Sequence, residues 1–180
     1  FGIAQPLKSP ARLALYGMFF PCMLSGPILR YREDGNQFFE SHSFNYIQVT
    51  RGLQRMLWGF FKVLVISERM ALVVNTIYGD YTEYPGVYIW VGTIAFAFQL
   101  YTNFSGGMDI ALGIAQTFGL KLPENFDRPF FSKSISEYWR RWHITLGVWM
   151  KEYIFYPLLR SSIFTKLGKK LRIRFGKKRG

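Results

Sequence analysis

The chain has 180 residues, of which 49% are apolar and 19% aromatic, with a net charge of +12 and a mean hydropathy of +0.06. That blend describes membrane helices joined by basic loops more readily than a water-soluble globule. A single cysteine, Cys22, excludes an internal disulfide and any cysteine-built metal site, and it reads as a small buried hydrophobe.

Residues 13–29 carry no charge, and Arg12 and Arg30 bracket them, so they reach the short end of a membrane span. Pro21, Gly26 and Pro27 break the segment. Breaks at membrane depth are tolerated where protein or a water-filled cavity takes up the freed backbone groups, so the segment is expected to line something. Tyr31 to Asn36 form a polar turn or loop. His42 follows in the polar stretch Glu40-Ser41-His42-Ser43 and reads as a solvated loop residue.

Residues 51–78 are apolar with Lys62, Glu68 and Arg69 embedded. Those charges either mark the ends of two shorter helices or face a polar bundle interior. Residues 84–108 contain no charge and give the strongest spanning signal in the chain. Asn103-Phe104-Ser105-Gly106-Gly107 is expected to interrupt that helix, with a second one following and stopping at Gly119.

Leu122-Pro123-Glu124-Asn125-Phe126-Asp127-Arg128-Pro129 reads as a connector, since two prolines bias the residues before them away from helix. Ser134-Ile135-Ser136-Glu137 fits a capping box and predicts a helix running through Trp149 or beyond. On that helix Trp139, Trp142, His143, Leu146 and Met150 would share one arc, with Arg140, Arg141 and Lys151 opposite. Residues 160–180 hold nine Lys or Arg and no acid, leaving +3 for the rest. Directly after an apolar, aromatic segment, such a stretch marks a cytoplasmic loop rather than a nucleic-acid-binding arm. With Phe1 at one end and Lys177-Lys178-Arg179-Gly180 at the other, the chain is expected to be an internal segment of a longer protein, for which no signal peptide can be argued.

The chain lacks a phosphate-binding glycine loop, a Gly-x-Ser-x-Gly elbow and a paired-histidine zinc motif. What remains is His143, which can take and return a proton near neutral pH. Arg140, Arg141 and the tryptophans would keep it neutral, the form a general base needs. By itself it reads more readily as a histidine packed in a bundle than as a catalytic one. Asp109 is either an ionisable group facing a cavity or a helix N-terminal acid. Arg140 and Arg141 could hold an anionic group, although Glu137 lies four residues before Arg141 and could pair with it.

Three ordered motifs resemble the membrane-bound O-acyltransferase (MBOAT) family: Phe104-Ser105-Gly106 with Asp109, the residues from Leu122 to Pro129, and Tyr138-Trp139-Arg140-Arg141-Trp142-His143-Ile144-Thr145-Leu146. Phe20-Pro21 with Ser25-Gly26-Pro27-Ile28-Leu29-Arg30-Tyr31 extends the likeness towards the bacterial alginate O-acetyltransferase branch. Where that branch often continues with Gly-Gly-Asn this chain has Leu159-Arg160-Ser161, so the branch that transfers D-alanine to teichoic acids stays open, and with it the acceptor.

The resemblance implies an all-α, polytopic transmembrane fold with a central tunnel, of which residues 1–180 are one membrane-domain fragment. Its expected parts are a broken span at 13–30, apolar helices at 51–78, a long span and following helix at 84–119, a connector at 120–133, a motif helix at 134–158 and a basic cytoplasmic loop at 159–180. It implies passage of an acyl group, in the first instance acetyl, from a cytoplasmic thioester donor to a hydroxyl of an extracytoplasmic cell-surface polymer. His143 would be catalytic. A second family histidine, in a Trp-His-Gly motif on a later helix, is absent from these residues, so the piece alone is expected to be inactive.

Trp139, Arg140, Trp142, Asp109, Ser105 and Asn125 are the expected substrate-binding residues. No metal and no tightly bound cofactor are expected; an acyl-CoA or acyl carrier protein would be the co-substrate. The implied partners are the lipid bilayer, that donor and an extracytoplasmic acyl-transfer protein, with no nucleic acid, in the bacterial cytoplasmic (inner) membrane. Two rivals remain: a transporter or flippase segment in which Asp109, Glu68 and the broken helices form a solute path, and a membrane scaffold whose basic tail binds anionic lipid.

Overall fold

The computed structural model describes residue 7, residues 9–24 and residues 26–175. Ser25 of the Gly-Pro-Ile element, Phe1 and the terminal Lys177-Lys178-Arg179-Gly180 lie outside them. The described residues are helical with no β-strand, as the all-α expectation requires, and they divide into two compact units, Phe1–Asp127 and Arg128–Gly180.

The first unit is built on a pair of long antiparallel helices. α1 (Pro10–Gly17), α2 (Phe20–Leu24) and α3 (Tyr31–Asp34) precede them, followed by a 3₁₀ turn at Asn36–Phe39. The segment expected as a broken span is thus two short helices, parted at Met18 and Phe19; Pro21 sits inside α2, while Gly26 and Pro27 are non-helical, as breakers should be. Tyr16, Phe19 and Phe38 meet edge to face, with ring centroids 5.1–5.4 Å apart. They cover Leu112, Ala115, Leu120 and Leu122, the centre of the apolar core.

α4 (Tyr46–Phe60) starts where Oδ1 of Asn45 accepts the backbone N–H of Gln48 at 3.1 Å, an N-cap. It runs through a π-helical stretch, Phe61–Ser67, into α5 (Glu68–Gly79) without a break. Of its three embedded charges, Lys62 is buried and faces the interior, whereas Glu68 and Arg69 are exposed. α6 (Val87–Thr117) returns alongside. It is continuous through Asn103 to Gly107, so the expected interruption does not occur; glycine costs a helix about 1 kcal/mol relative to alanine, which packing can offset.

Gly106 serves the packing. A Cβ on Gly59 would stand 2.7 Å from the carbonyl oxygen of Gly106, and one on Gly106 2.8 Å from that of Gly59. One turn pair away the same is true of Gly52 and Gly113, at 2.7 and 2.6 Å. The chain leaves α6 at Gly119, whose φ of 87° suits glycine, with Leu120 N–H donating to the carbonyl of Ala115 at 3.0 Å.

Among the described residues no helix is both long and apolar enough to cross a membrane. With 31 residues α6 has the length, about 46 Å at 1.5 Å per residue. Gln99, Thr102, Asn103 and Asp109 dilute its apolar character.

The second unit departs most from expectation. A 3₁₀ turn at Pro129–Phe131 leads into α7 (Ile135–Arg141), capped by Ser134, whose Oγ accepts the N–H of Glu137 at 3.1 Å. The Glu137 carboxylate reaches back to the N–H of Lys133 at 2.8 Å rather than to that of Ser134, so only half of the capping box forms. α7 ends at Arg141, and α8 (Ile144–Trp149) begins after His143. A π-helical stretch, Met150–Phe155, then α9 (Tyr156–Arg160) and α10 (Ser162–Phe175) follow. The motif helix expected over 134–158 is therefore interrupted, and the basic stretch expected as a loop is helical over most of its length.

Candidate functional site

Two groups of the sequence-predicted residues sit one in each unit. In the first unit, Asp109 lies in the last third of α6, far from its N-terminus, so the helix-dipole reading fails and the cavity-facing one holds. Its Oδ1 accepts Nε of Arg55 at 2.9 Å and its Oδ2 pairs with the Lys62 ammonium. Lys62 also donates to Oγ of Ser105 at 3.1 Å. Arg55 grips Glu124 with both η nitrogens, at 2.7 and 2.6 Å, and so ties the connector to α4.

The pairs differ in weight. The side chains of Lys62 and Asp109 are only 10% and 15% exposed, so each would be an expensive isolated charge without the other. Glu124 is 57% exposed and its pairing is more strongly screened. Asn125, 1% exposed, donates from Nδ2 to Sδ of Met108 at 3.0 Å and anchors the next connector residue. Together Ser105, Asp109 and Asn125 line a small polar cavity of about 160 Å³, along with Arg55, Lys62 and Tyr101.

In the second unit, Trp142 is extended, with φ −102° and ψ 126°, and His143 is left-handed, with φ 47° and ψ 54°. The helix pauses for two residues: Trp142 N–H still donates to the carbonyl of Tyr138 at 2.9 Å, and the carbonyl of His143 accepts Gly147 N–H at 3.1 Å to start α8. A left-handed residue other than glycine is uncommon, although histidine is among those that tolerate it, and such backbone gathers at functional sites. The arc expected to unite Trp139, Trp142, His143, Leu146 and Met150 does not survive the change of direction. Trp142 stacks on Tyr138, ring centroids 5.6 Å apart and planes 16° from parallel, while Trp139 and Arg140 are exposed.

Burial holds the His143 imidazole below its ordinary pKa, and a backbone hydrogen bond of its own opposes that in part. Of the two causes expected, an apolar surrounding and the neighbouring arginines, burial acts and the arginines do not contribute. Arg141 is held by Glu137 at 2.7 Å, as the four-residue spacing allowed. The Lys133 N–H first, and then Arg141, hold the Glu137 carboxyl below the usual range. His42 is exposed, with Nε2 2.7 Å from the carbonyl of Gln37, in keeping with a loop residue.

Arg55 and Glu124 had no place among the sequence candidates, and Lys62 only as an unassigned charge. The available signal was the pair of ionisable residues, Lys62 and Asp109, inside otherwise apolar runs.

Residues 7–173 match the MBOAT, membrane-bound O-acyltransferase, family. The chain is 37% identical over 147 residues to a peptidoglycan O-acetyltransferase of Helicobacter pylori, covering 81% of this chain and 28% of that protein. It is 34% identical over 145 residues to a probable alginate O-acetylase, AlgI, of Pseudomonas syringae, with the same coverage. It is 30% identical over 156 residues to a teichoic acid D-alanyltransferase of Bacillus subtilis, covering 80% of this chain and 37% of that protein. The chain thus spans little more than a quarter of the first two relatives. A match over nearly its whole described length, at up to 37% identity, establishes that the chain belongs to the membrane-bound O-acyltransferase family.

Proposed function

We propose that the complete protein transfers an acyl group, acetyl in the first instance, from a thioester donor to a hydroxyl of a cell-surface polymer, with His143 as general base. The observation that carries this reading is the setting of His143: a left-handed residue between two short helices, with an imidazole that burial keeps neutral. A neutral ring nitrogen can accept the proton of the acceptor hydroxyl as its oxygen attacks the thioester carbonyl. When the tetrahedral adduct collapses, the carbon–sulfur bond breaks and the proton passes to the leaving thiolate, so the base is regenerated.

The relatives' names supply the acceptor classes, peptidoglycan, alginate and teichoic acid. The donor is an acyl-CoA or an acyl carrier protein approaching from the cytoplasmic side, with Arg140 and the rings of Trp139 and Trp142 available to it. We place the protein as a multi-pass protein in the cytoplasmic membrane, the basic stretch at 159–180 on its inner face and an acyl-transfer partner outside. A second histidine would come from a later helix of the complete protein. Ser105, Asp109 and Asn125 would bind substrate from the polar cavity of the first unit.

Replacing His143 by Ala in the complete protein tests the reading. Transfer should fall by about 10²- to 10⁴-fold while the protein still accumulates in the membrane. Unchanged transfer removes His143 from the mechanism, and absence of acylated product from the purified wild type favours the transport reading.

A further inference from the structure

A second cavity of the first unit, about 590 Å³, opens between the start of α4 and the segment that follows α6. Its charged lining is Arg51, Arg55, Lys121 and Glu124. Arg55 is matched by Glu124 and Asp109. Arg51 and Lys121 are not matched: neither side chain has a partner among the described residues. Lys121 is nonetheless well placed, because its N–H donates to Oε1 of Gln37 at 2.8 Å and its carbonyl accepts Nε2 of Gln37 at 3.1 Å. Gln48 and Gln116 add amide donors, and Leu112 and Leu122 supply an apolar wall.

We propose that this cavity binds a phosphate ester, its phosphoryl oxygens between Arg51 and Lys121 and its organic part against the leucines. Two uncompensated cations match the charge of a phosphate monoester. A guanidinium fork, an ammonium and two amides offer more donors than a carboxylate has oxygens. The volume falls within the range of small-molecule sites and is far larger than inorganic phosphate needs. The cavity lies in the first unit and His143 in the second; where the phosphate ester is coenzyme A, the inference rests on the donor proposed above.

The test uses the complete protein in a sugar-headgroup detergent, which carries no phosphate. Coenzyme A probes a soluble phosphate ester and a short-chain phosphatidylglycerol probes a lipid headgroup, with inorganic phosphate as competitor in both titrations. At least one of the two should saturate and be displaced by inorganic phosphate. Arg51→Gln and Lys121→Gln should each weaken it about tenfold or more. Arg69→Gln, an exposed cation removed from α5, should leave binding unchanged. Saturation by coenzyme A alone assigns the soluble source, and by the lipid alone the headgroup. The proposal is overturned if neither probe saturates, or if the double variant melts and binds as the wild type does. Repeating the titration with His143→Ala separates this outcome from any failure of acyl transfer.

Discussion

Gly59 and Gly106 leave no room for a side chain on either, since each would place a Cβ under 3 Å from the other's carbonyl oxygen. Gly59→Ala or Gly106→Ala must therefore push α4 and α6 apart, at a cost of about 1–3 kcal/mol. Thermal melts of the complete protein should show a clear fall for both. Gly147 meets nothing within 4 Å, so Gly147→Ala should melt at or slightly above the wild-type temperature. Equal behaviour of the three variants would contradict the close seam.

Asp109 neutralises two cations at once, which sets the outcome of removing it. Asp109→Asn leaves Lys62 buried beside Arg55 without a counter-charge and should destabilise by about 3–5 kcal/mol. Glu124→Gln, at a more exposed pair, should cost only about 0–1 kcal/mol. Adding Lys62→Met to Asp109→Leu should recover much of the single-variant loss, because a pair replaced by apolar groups leaves no stranded charge. A double-mutant cycle on denaturation midpoints reads this directly. Additive losses would mean that the two residues do not depend on each other.

The lowered pKa of His143 carries a pH signature of definite sign. Below the unfolded value of about 6.5, the unfolded chain takes up a proton that the folded site resists. Stability should thus decline as pH falls from 7 through 6.5, and level off once the folded imidazole is protonated too. His143→Asn should flatten that part of the stability curve. In the complete protein the acid limb of the transfer rate should lie below pH 6.5, since the base stays neutral to lower pH than an ordinary histidine. A limb above pH 6.5 would mean that another group titrates.

The backbone of His143 is separable from its ring. At φ 47°, Asn and Gly fit and a β-branched residue does not. His143→Asn and His143→Gly should retain wild-type melting yet lose transfer, whereas His143→Val should lose about 1–2 kcal/mol as well. Circular dichroism melts alongside a product assay distinguish the two effects.

The helical class, the stop at Gly119, the Ser134 cap and the Glu137–Arg141 pair could all be read from the sequence, because each depends on residues within a turn of one another. The pause at Trp142 and His143 could not. Neither glycine nor proline marks it, and α7 looks like the first part of a longer helix. The Arg55 cluster was hidden for a different reason: its members are 54 and 69 residues apart in the chain. Gly106 and Gly107 suggested a break because a glycine's local preference is visible, while the opposing glycine that uses the space is not.

The two glycine contacts lie seven residues apart on both helices, and Asp109 sits between its pair of glycines as Arg55 sits between the other two. A single register therefore seats both close approaches and the ion pairs together. If α6 slid by one turn, Gly59 and Gly52 would face side chains, and Asp109 would move away from its cations in the same stroke. The two helices are keyed against longitudinal sliding, and any rearrangement of this unit during a working cycle must be a bend or a rotation that leaves the seam in step.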